Sequence, residues 1–318
     1  MARQTLQPDY FPFLDYRRFT FSLGVVAESG IWMSGCTAVR HDPDQQKMVV
    51  DGDLCDQARV IFEKMRLSLV AGGKTLSDIS RVVRYVTRGA LHDLPRLDRL
   101  TSELLEHSPF MSTIVVNRLL RKTALIEMES YVSGDSGVEY LPAAIAADGA
   151  AAARQVHASL QSRGGDARLI RAAQYLAPRG QAPAVLDSPS VMTVVSPCMP
   201  DGSGGVQIQA VAAKRDRPAV VFAAAEGDPK FCTMEEQCRD VYERIAATLA
   251  TLNSSMSQVI KTTEFVTPEG LAAYKDTAAI RREVFAEPYP AATGVICEGL
   301  PRLGSLIAME VVASAGPT

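Results

Sequence analysis

A chain of 318 residues that is 47% hydrophobic and 22% charged, with a formal net charge of −3, has room for two or three packed units and no basic block to draw it to nucleic acid or a membrane surface. No apolar run reaches bilayer length, and "MARQTLQPDYFPFLDYRRF" lacks the continuous apolar core of a signal peptide, so the expectation is a cytoplasmic protein with no membrane partner. The cysteines at 36, 55, 198, 232, 238 and 297 form no CxxC pair, and no two of His41, His92, His107 and His157 stand at metal-ligand spacing; reduced thiols, no metal and no cofactor are expected.

The first elements in chain order are an alternating hairpin, "RFTFSLGVVAESGIWMSGCTAV", turning near Glu28-Ser29-Gly30, and a helix over 53–73 with Asp53 suited to its N-cap and Gly72-Gly73 to its stop. A strand "ISRVVRYVT" (79–87), a helix over 91–108, a strand from Pro109, "PFMSTIVV", and a closing strand "IEMESYV" follow. In that last strand alternate side chains share a face, so Glu127 and Glu129 point one way and Ile126, Met128 and Ser130 the other. Two carboxylates on one face of an apolar strand are costly if that face is buried.

The pattern then recurs. After "GDSGVEYLPAA", which leads almost directly into a helix over 148–165 without a hairpin of its own, come "LIRAAQYLA" (169–177), "PSVMTVVS" from Pro189 and "VQIQAVAA" (206–213). Between the first two lies "PRGQAPAVLDS" (178–188), too rich in proline and glycine to be helical. The chain continues through "RDRP" into "AVVFAAAEG", which could serve as the first strand of a third unit. That unit holds a helix over 233–252 capped by Thr233, "VIKTTEFVT" (259–267), a second helix over 269–286, "PAATGVIC" from Pro290 and "LIAMEVVA" (306–313). Thr87, Ala177 and Thr267 are ninety residues apart each time. The reading is three related α+β modules at 1–138, 139–214 and 215–318, two near-complete and the middle one truncated, each a mixed sheet with helices on one face.

These residues resemble the RidA/YjgF family of imine and enamine deaminases, whose modules have the chorismate-mutase-like fold. The resemblance rests on "GIWMSGCTAV" with Ser34-Gly35, "LSDISRVVRYVT", "PFMSTIVVNRLLRKTALIEMES", "MSQVIKTTEFVTPEGLAAY" and "PAATGVICEGLPRLGSLIAMEVVA". It covers modules one and three and about two-thirds of the middle one. It implies ligand pockets between neighbouring modules, an arginine on the strand after the proline that grips a substrate carboxylate, and a glutamate on the last strand that positions water. Carried over, the glutamate is Glu127, and Ser34-Gly35 offers backbone groups to the ligand.

The departures are as informative. The arginine position is Met111, then Val191, then Ala292; the glutamate position is Glu127, then Gln207, then Ala308. Glu127 is therefore the catalytic candidate, and Ser34, Gly35, Met111, Ser112, Thr113, Arg118 and Arg281 are the substrate-binding candidates. The plainer readings pair Glu127 with Arg118 or Lys122, put Arg118 in a solvated turn, treat Ser112 and Thr113 as ordinary strand residues, and leave Arg281 and Arg282, about 100° apart on a helix, on a wet face. Glu298 and Glu310 are weaker candidates; Cys297 and Tyr85 read as core.

Three functions fit: a RidA-like enzyme acting by water addition or deamination on a small imine, enamine or related unsaturated metabolite of a specialised pathway; a chorismatase-like lyase or hydrolase, since "EGLAAYKDTAAIRREVFAEPYPAATGV" is similar to segments of those tandem enzymes; and a non-catalytic small-ligand-binding protein. Three modules are the number that closes a ring, so an intramolecular pseudo-trimer is expected, monomeric or in a small homo-oligomer, the alternative being paired complete modules. A cation restored at Met111 is expected to lie near Glu127.

Overall fold

The structure, a computed structural model, describes residues 3–164, 167–177, 181–214, 216 and 218–316. Its N-terminal sheet contains β1 (Gln4–Thr5), β2 (Gly24–Ala27), β3 (Gly30–Met33), β4 (Cys36–Thr37), β7 (Ile79–Thr87), β8 (Phe110–Val116) and β10 (Ile126–Ser133) in the order β1-β2-β3-β10-β7-β8, with β4 also pairing β10. A separate ribbon, β5 (Arg40–Asp42) with β6 (Lys47–Val49), leads to helix α1 (Leu54–Val70). The side chain of Asp53 accepts from the N–H groups of Cys55 and Asp56, and the Asp56 carboxylate returns a bond to the Asp53 N–H, satisfying donors that the first helical turn leaves open. β7 and β8 run parallel, a pairing that requires a crossover, and helix α2 (Leu94–Leu105) supplies it.

The middle sheet is smaller: β11 (Val138–Tyr140), β12 (Ala144–Ala146), β13 (Arg168–Ala177), β14 (Val191–Val195) and β15 (Gly205–Ala213), with one helix among the described residues, α3 (Gly149–Gln161). Both short strands pair with β15; the segment expected to run directly into the helix forms two edge strands first, because its Val138 and Ala144 find open backbone along β15. Of the stretch predicted non-helical, residues 178–180 lie outside the described residues and 181–188 carry no regular structure. The amide of Gln174 replaces a helix there: its Nε2 donates to the Ala184 carbonyl at 3.0 Å and its Oε1 accepts from the Ala184 N–H at 2.7 Å.

The C-terminal sheet has the order β16-β19-β17-β18-β9, with β16 (Val220–Glu226), β17 (Val259–Val266), β18 (Ala291–Ile296) and β19 (Ile307–Ser314). In the expected lead-in "RDRP", Arg215 and Arg217 lie outside the described residues. Helix α4 (Met234–Thr251) starts at a Thr233–Glu236 capping box. The second expected helix is broken into α5 (Leu271–Tyr274) and α6 (Thr277–Val284). The outermost strand, β9 (Arg118–Leu119), comes from the N-terminal part of the chain, pairing Leu119 with Val295 and Arg118 with Ile296.

Each sheet buries one face under its own helices. Ile61, Phe62 and Met65 of α1 meet Val82 and Met128, Val241 and Ile245 of α4 meet Val259 and Met309, and Val156 of α3 meets Ala172 and Ile208. Truncating one such side chain to alanine costs about 2–5 kcal/mol. The opposite faces of all three sheets share two further cores. In one of them Tyr85, Tyr175 and Phe265 come together, with ring centroids 6.2 Å (Tyr85–Phe265) and 6.0 Å (Tyr175–Phe265) apart. No helix among the described residues is long and apolar enough to cross a membrane.

Candidate functional site

Glu127 sits near the start of β10, flanked by Thr37 on one neighbour and Tyr85 on the other. It is 5% exposed, so its carboxyl is neither at a wet edge nor paired with Arg118 or Lys122. A Cβ added at Gly35 would lie 2.1 Å from its Oε1; only a residue without a side chain leaves room for the carboxyl there. Burial is the main force on its proton, with Glu129 adding to it while Lys261, Lys64 and the Gly294 N–H oppose it, and its pKa is pushed up to about 8. At neutral pH it is a proton donor.

The carboxyl lies at the inner end of an open cleft of about 560 Å³ between the N-terminal and C-terminal sheets. Phe11, Leu14, Phe19, Phe21 and Leu120 make the walls apolar, Ala292, Thr293 and Gly294 of β18 face Glu127, and Arg18, Arg121, Lys275 and Arg282 line the cleft as exposed cations. A larger depression of about 830 Å³ lies by Pro218–Phe222, but its ionisable lining residues Glu28, Arg168 and Asp216 are all exposed, so it lacks a desolvated acid or base.

Ser34 and Gly35 reach the cleft but spend their hydrogen bonds joining the sheets. The Ser34 hydroxyl donates to the Ser22 carbonyl at 2.5 Å and accepts from the Ala292 N–H at 2.8 Å; the Gly35 N–H donates to the Ala292 carbonyl at 3.0 Å. Arg281 also lines the cleft. Its guanidinium is committed to Glu264 (Nε–Oε1 3.0 Å, and Nη2 to Oε2), and Tyr274 Oη donates to the same carboxylate at 2.6 Å. Burial opposes the Arg281 charge and Glu264 outweighs it, holding the side chain protonated. An anion binding there competes with an existing pair; Arg282, one residue on, is exposed.

The remaining candidates lie elsewhere. Met111 packs against the core beneath α1 and α2, so a cation at that position does not approach Glu127; the residue of the same rank in the open cleft is Ala292. Thr113 Oγ1 accepts from Arg84 at 2.8 Å and 3.1 Å, Ser112 is buried, and the Thr113 carbonyl accepts from Gln207 Nε2 at 2.9 Å. Arg118 lies on β9 rather than in a solvated turn. Glu298 is exposed and accepts from Asn117, Glu310 pairs with Arg171, Ala308 is fully buried, and Cys297 and Tyr85 are core.

Two groups at the site escaped the sequence reading. Lys64 of α1 lines the cleft, its ammonium donating to the Thr37 carbonyl at 2.8 Å and to the Val39 carbonyl; burial pulls its pKa down to about 8. Lys261 of β17 pairs with Glu129 at 3.0 Å, and the Thr293 hydroxyl donates to the same Glu129 oxygen at 2.6 Å. Burial works against the Glu129 carboxylate, but Lys261, Arg81 and Thr293 hold it below the usual range. The two glutamates on one strand face thus have opposite proton affinities, the pattern of an acid beside a permanent anion. The signal for Lys64 was its place between Ile61 and Ser68 on the buried stripe of α1; that for Lys261 was its ninety-residue spacing from Arg81 and Arg171.

A family model described as Endoribonuclease L-PSP matches residues 223–315. Solved structures similar to parts of this chain include E. coli TdcF with bound serine (22% identity, 41% of this chain and 98% of that one, TM-score 0.35). YyfA of the conserved Rid protein family from Yersinia pestis (19%, 42% and 99%, 0.36) and a member of the YjgF/YER057c/UK114 family from Mycobacterium tuberculosis (18%, 42% and 99%, 0.33) are also similar. Among curated proteins, none matches.

Proposed function

We propose that the cleft between the N-terminal and C-terminal sheets, in a chain whose residues 223–315 match the L-PSP family model, is the active site of an enzyme that adds water to a small imine, enamine or related unsaturated metabolite. The observation that carries this reading is Glu127, a desolvated carboxyl at the closed end of the cleft with Gly35 making room for it. For an imine, Glu127 gives its proton to nitrogen, and its carboxylate then takes a proton from the water that attacks carbon; the carbinolamine collapses to a carbonyl compound and ammonia. Lys261 and Glu129 keep a fixed charge pair behind the acid. No cation stands on β18 to clamp a carboxylate beside the reacting carbon, so the substrate's body is apolar and its anionic group meets the cations nearer the opening.

We further read the three sheets as copies of one module, at 1–138, 139–214 and 215–318, arranged about a pseudo-threefold axis in a monomer or small homo-oligomer. The meeting of Tyr85, Tyr175 and Phe265, ninety residues apart, supports this, and light scattering on the purified protein tests the mass.

The activity test offers the protein imines generated from amino acids by an oxidase, with chorismate in parallel. Ammonia release that disappears in Glu127→Gln is the expected result. The cationic lining also suits a dicarboxylate enol ether, so pyruvate release from chorismate would replace the first reading with a chorismatase-like one. Saturable binding without turnover would make the protein a ligand carrier.

A further inference from the structure

Arg81, Arg171 and Lys261 occur ninety residues apart at the same place on β7, β13 and β17. The matching acidic places on the closing strands are Glu129, Gln209 and Glu310. Two of the three cations find a carboxylate on another sheet. Arg171 makes a two-pronged pair with Glu310 (Nε–Oε2 2.8 Å, Nη2–Oε1 2.9 Å), with side chains only 8% and 6% exposed, and Lys261 pairs with Glu129 at 3.0 Å.

The third pair is incomplete. Gln209 stands where the other two places have glutamate, and Arg81, 8% exposed, lies over the Tyr140 ring at 4.1 Å from its centroid. Three cations against two carboxylates leave one positive charge in the interior. A buried unpaired charge is costly in proportion to its desolvation, and a neutral amide does not neutralise it.

Three side-chain groups at this place also have no hydrogen-bond partner: Arg81 Nε, Gln209 Nε2 and Tyr140 Oη. All three residues line one small cavity of about 30 Å³ where the three sheets face each other. Each of these atoms carries a hydrogen to donate. A single water needs roughly 10–15 Å³ on this measure, so the space takes one monatomic ion or a water or two and excludes sulfate, phosphate or a carboxylic metabolite.

We propose that this axial cavity binds one small monovalent anion of chloride size, which supplies the negative charge that Gln209 does not. The ion sits against the Arg81 guanidinium and accepts from the amide and hydroxyl donors around it. It joins the middle sheet to the N-terminal one as Glu310 and Glu129 join the other pairs, apart from the Glu127 cleft and whatever that cleft binds.

Crystals of the full chain grown in bromide should show an anomalous peak in the cavity beside Arg81 and Gln209. In solution, the thermal midpoint in sodium chloride or bromide should exceed that in sodium gluconate of equal ionic strength, rising saturably by about 2–4 °C as the ion stabilises the folded state. Gln209→Glu supplies the missing carboxylate, so its midpoint should no longer respond to halide. Should that variant not fold, Arg81→Met removes the excess charge and should lose the response equally. Absence of a bromide peak together with equal midpoints in halide and gluconate would overturn the proposal, as would an undiminished halide response in either folded variant.

Discussion

The place of Glu127 on β10 and that of Gln207 on β15 are equivalent, yet one ends an open cleft and the other is shut. At the closed place Gln207 is 2% exposed and its amide donates to the Thr113 carbonyl across the sheet boundary. At the open place a carboxyl of nearly the same shape takes the Gly294 N–H of β18, has room beside Gly35, and faces a cleft walled by the N-terminal phenylalanines. An amide can close such a boundary because it donates without a desolvated charge. A carboxyl in the same seam would bring a charge as pH rises, and here the acid stands at a cleft instead. The difference of one atom, oxygen for nitrogen, separates a seam from a site.

The strongest way to break this comparison is to make the open place resemble the closed one. Glu127→Gln should lower turnover by about 10²–10⁴-fold, the usual range for a lost general acid, with the fold intact; wild-type kcat in this variant removes Glu127 from the chemistry. The same variant has a stability signature. A carboxyl whose folded pKa is raised to about 8 favours the folded state when protonated, so wild-type stability is fully present below the unfolded pKa and falls as pH rises through 8. Glu127→Gln escapes that fall and should gain on the order of 2–4 kcal/mol on the wild type between pH 5 and pH 8 in urea unfolding. A constant difference across that range means that the carboxyl is solvated.

The converse exchange, Gln207→Glu, should destabilise by about 1–3 kcal/mol, because an acceptor then faces the Thr113 carbonyl in a buried seam. The loss should grow with pH, and unfolding at pH 5 and pH 8 measures it. A sharper contrast uses the two places where the family carries arginine. Ala292→Arg puts a guanidinium into the open cleft and should lower KM for carboxylate-bearing imines about tenfold, a gain of about 1.4 kcal/mol. Met111→Arg forces a charge into the core under α1 and α2 and should destabilise without improving KM. Equal kinetic gains from both would mean that the cleft assignment is wrong. The smallest effect is at the cationic lining: Lys275→Ala with Arg282→Ala should raise KM a few-fold at low salt and hardly at all at high salt, since exposed charges are screened.

Much of the architecture was legible because it is periodic. Asp53 and Thr233 cap the helices that the apolar spacing marks, and the ninety-residue recurrence aligned Arg81, Arg171 and Lys261 before any contact was known. The cleft was less legible, for two physical reasons. Which strands face each other across a sheet boundary is decided by how the sheets are arranged, so the local pattern that put Met111 beside Glu127 missed that Ala292 comes from the far end of the chain. Lys64 also read as one polar residue on an amphipathic helix, because one-dimensional spacing does not show that the Thr37 and Val39 carbonyls wait beneath it.

The strand β9, built from Arg118 and Leu119 yet edging the C-terminal sheet, has a consequence for how the chain is made. The last sheet cannot complete its edge from its own sequence, and the first two-fifths of the chain must hold that edge ready until the rest has been synthesised. Arg3 makes the same demand, donating to the carbonyls of Val259, Ala286 and Pro288. Contacts spanning this much sequence form late and slowly, since their loop-closure entropy is lost before they repay it. During synthesis the N-terminal part therefore carries an unpaired strand until the last sheet arrives to cover it.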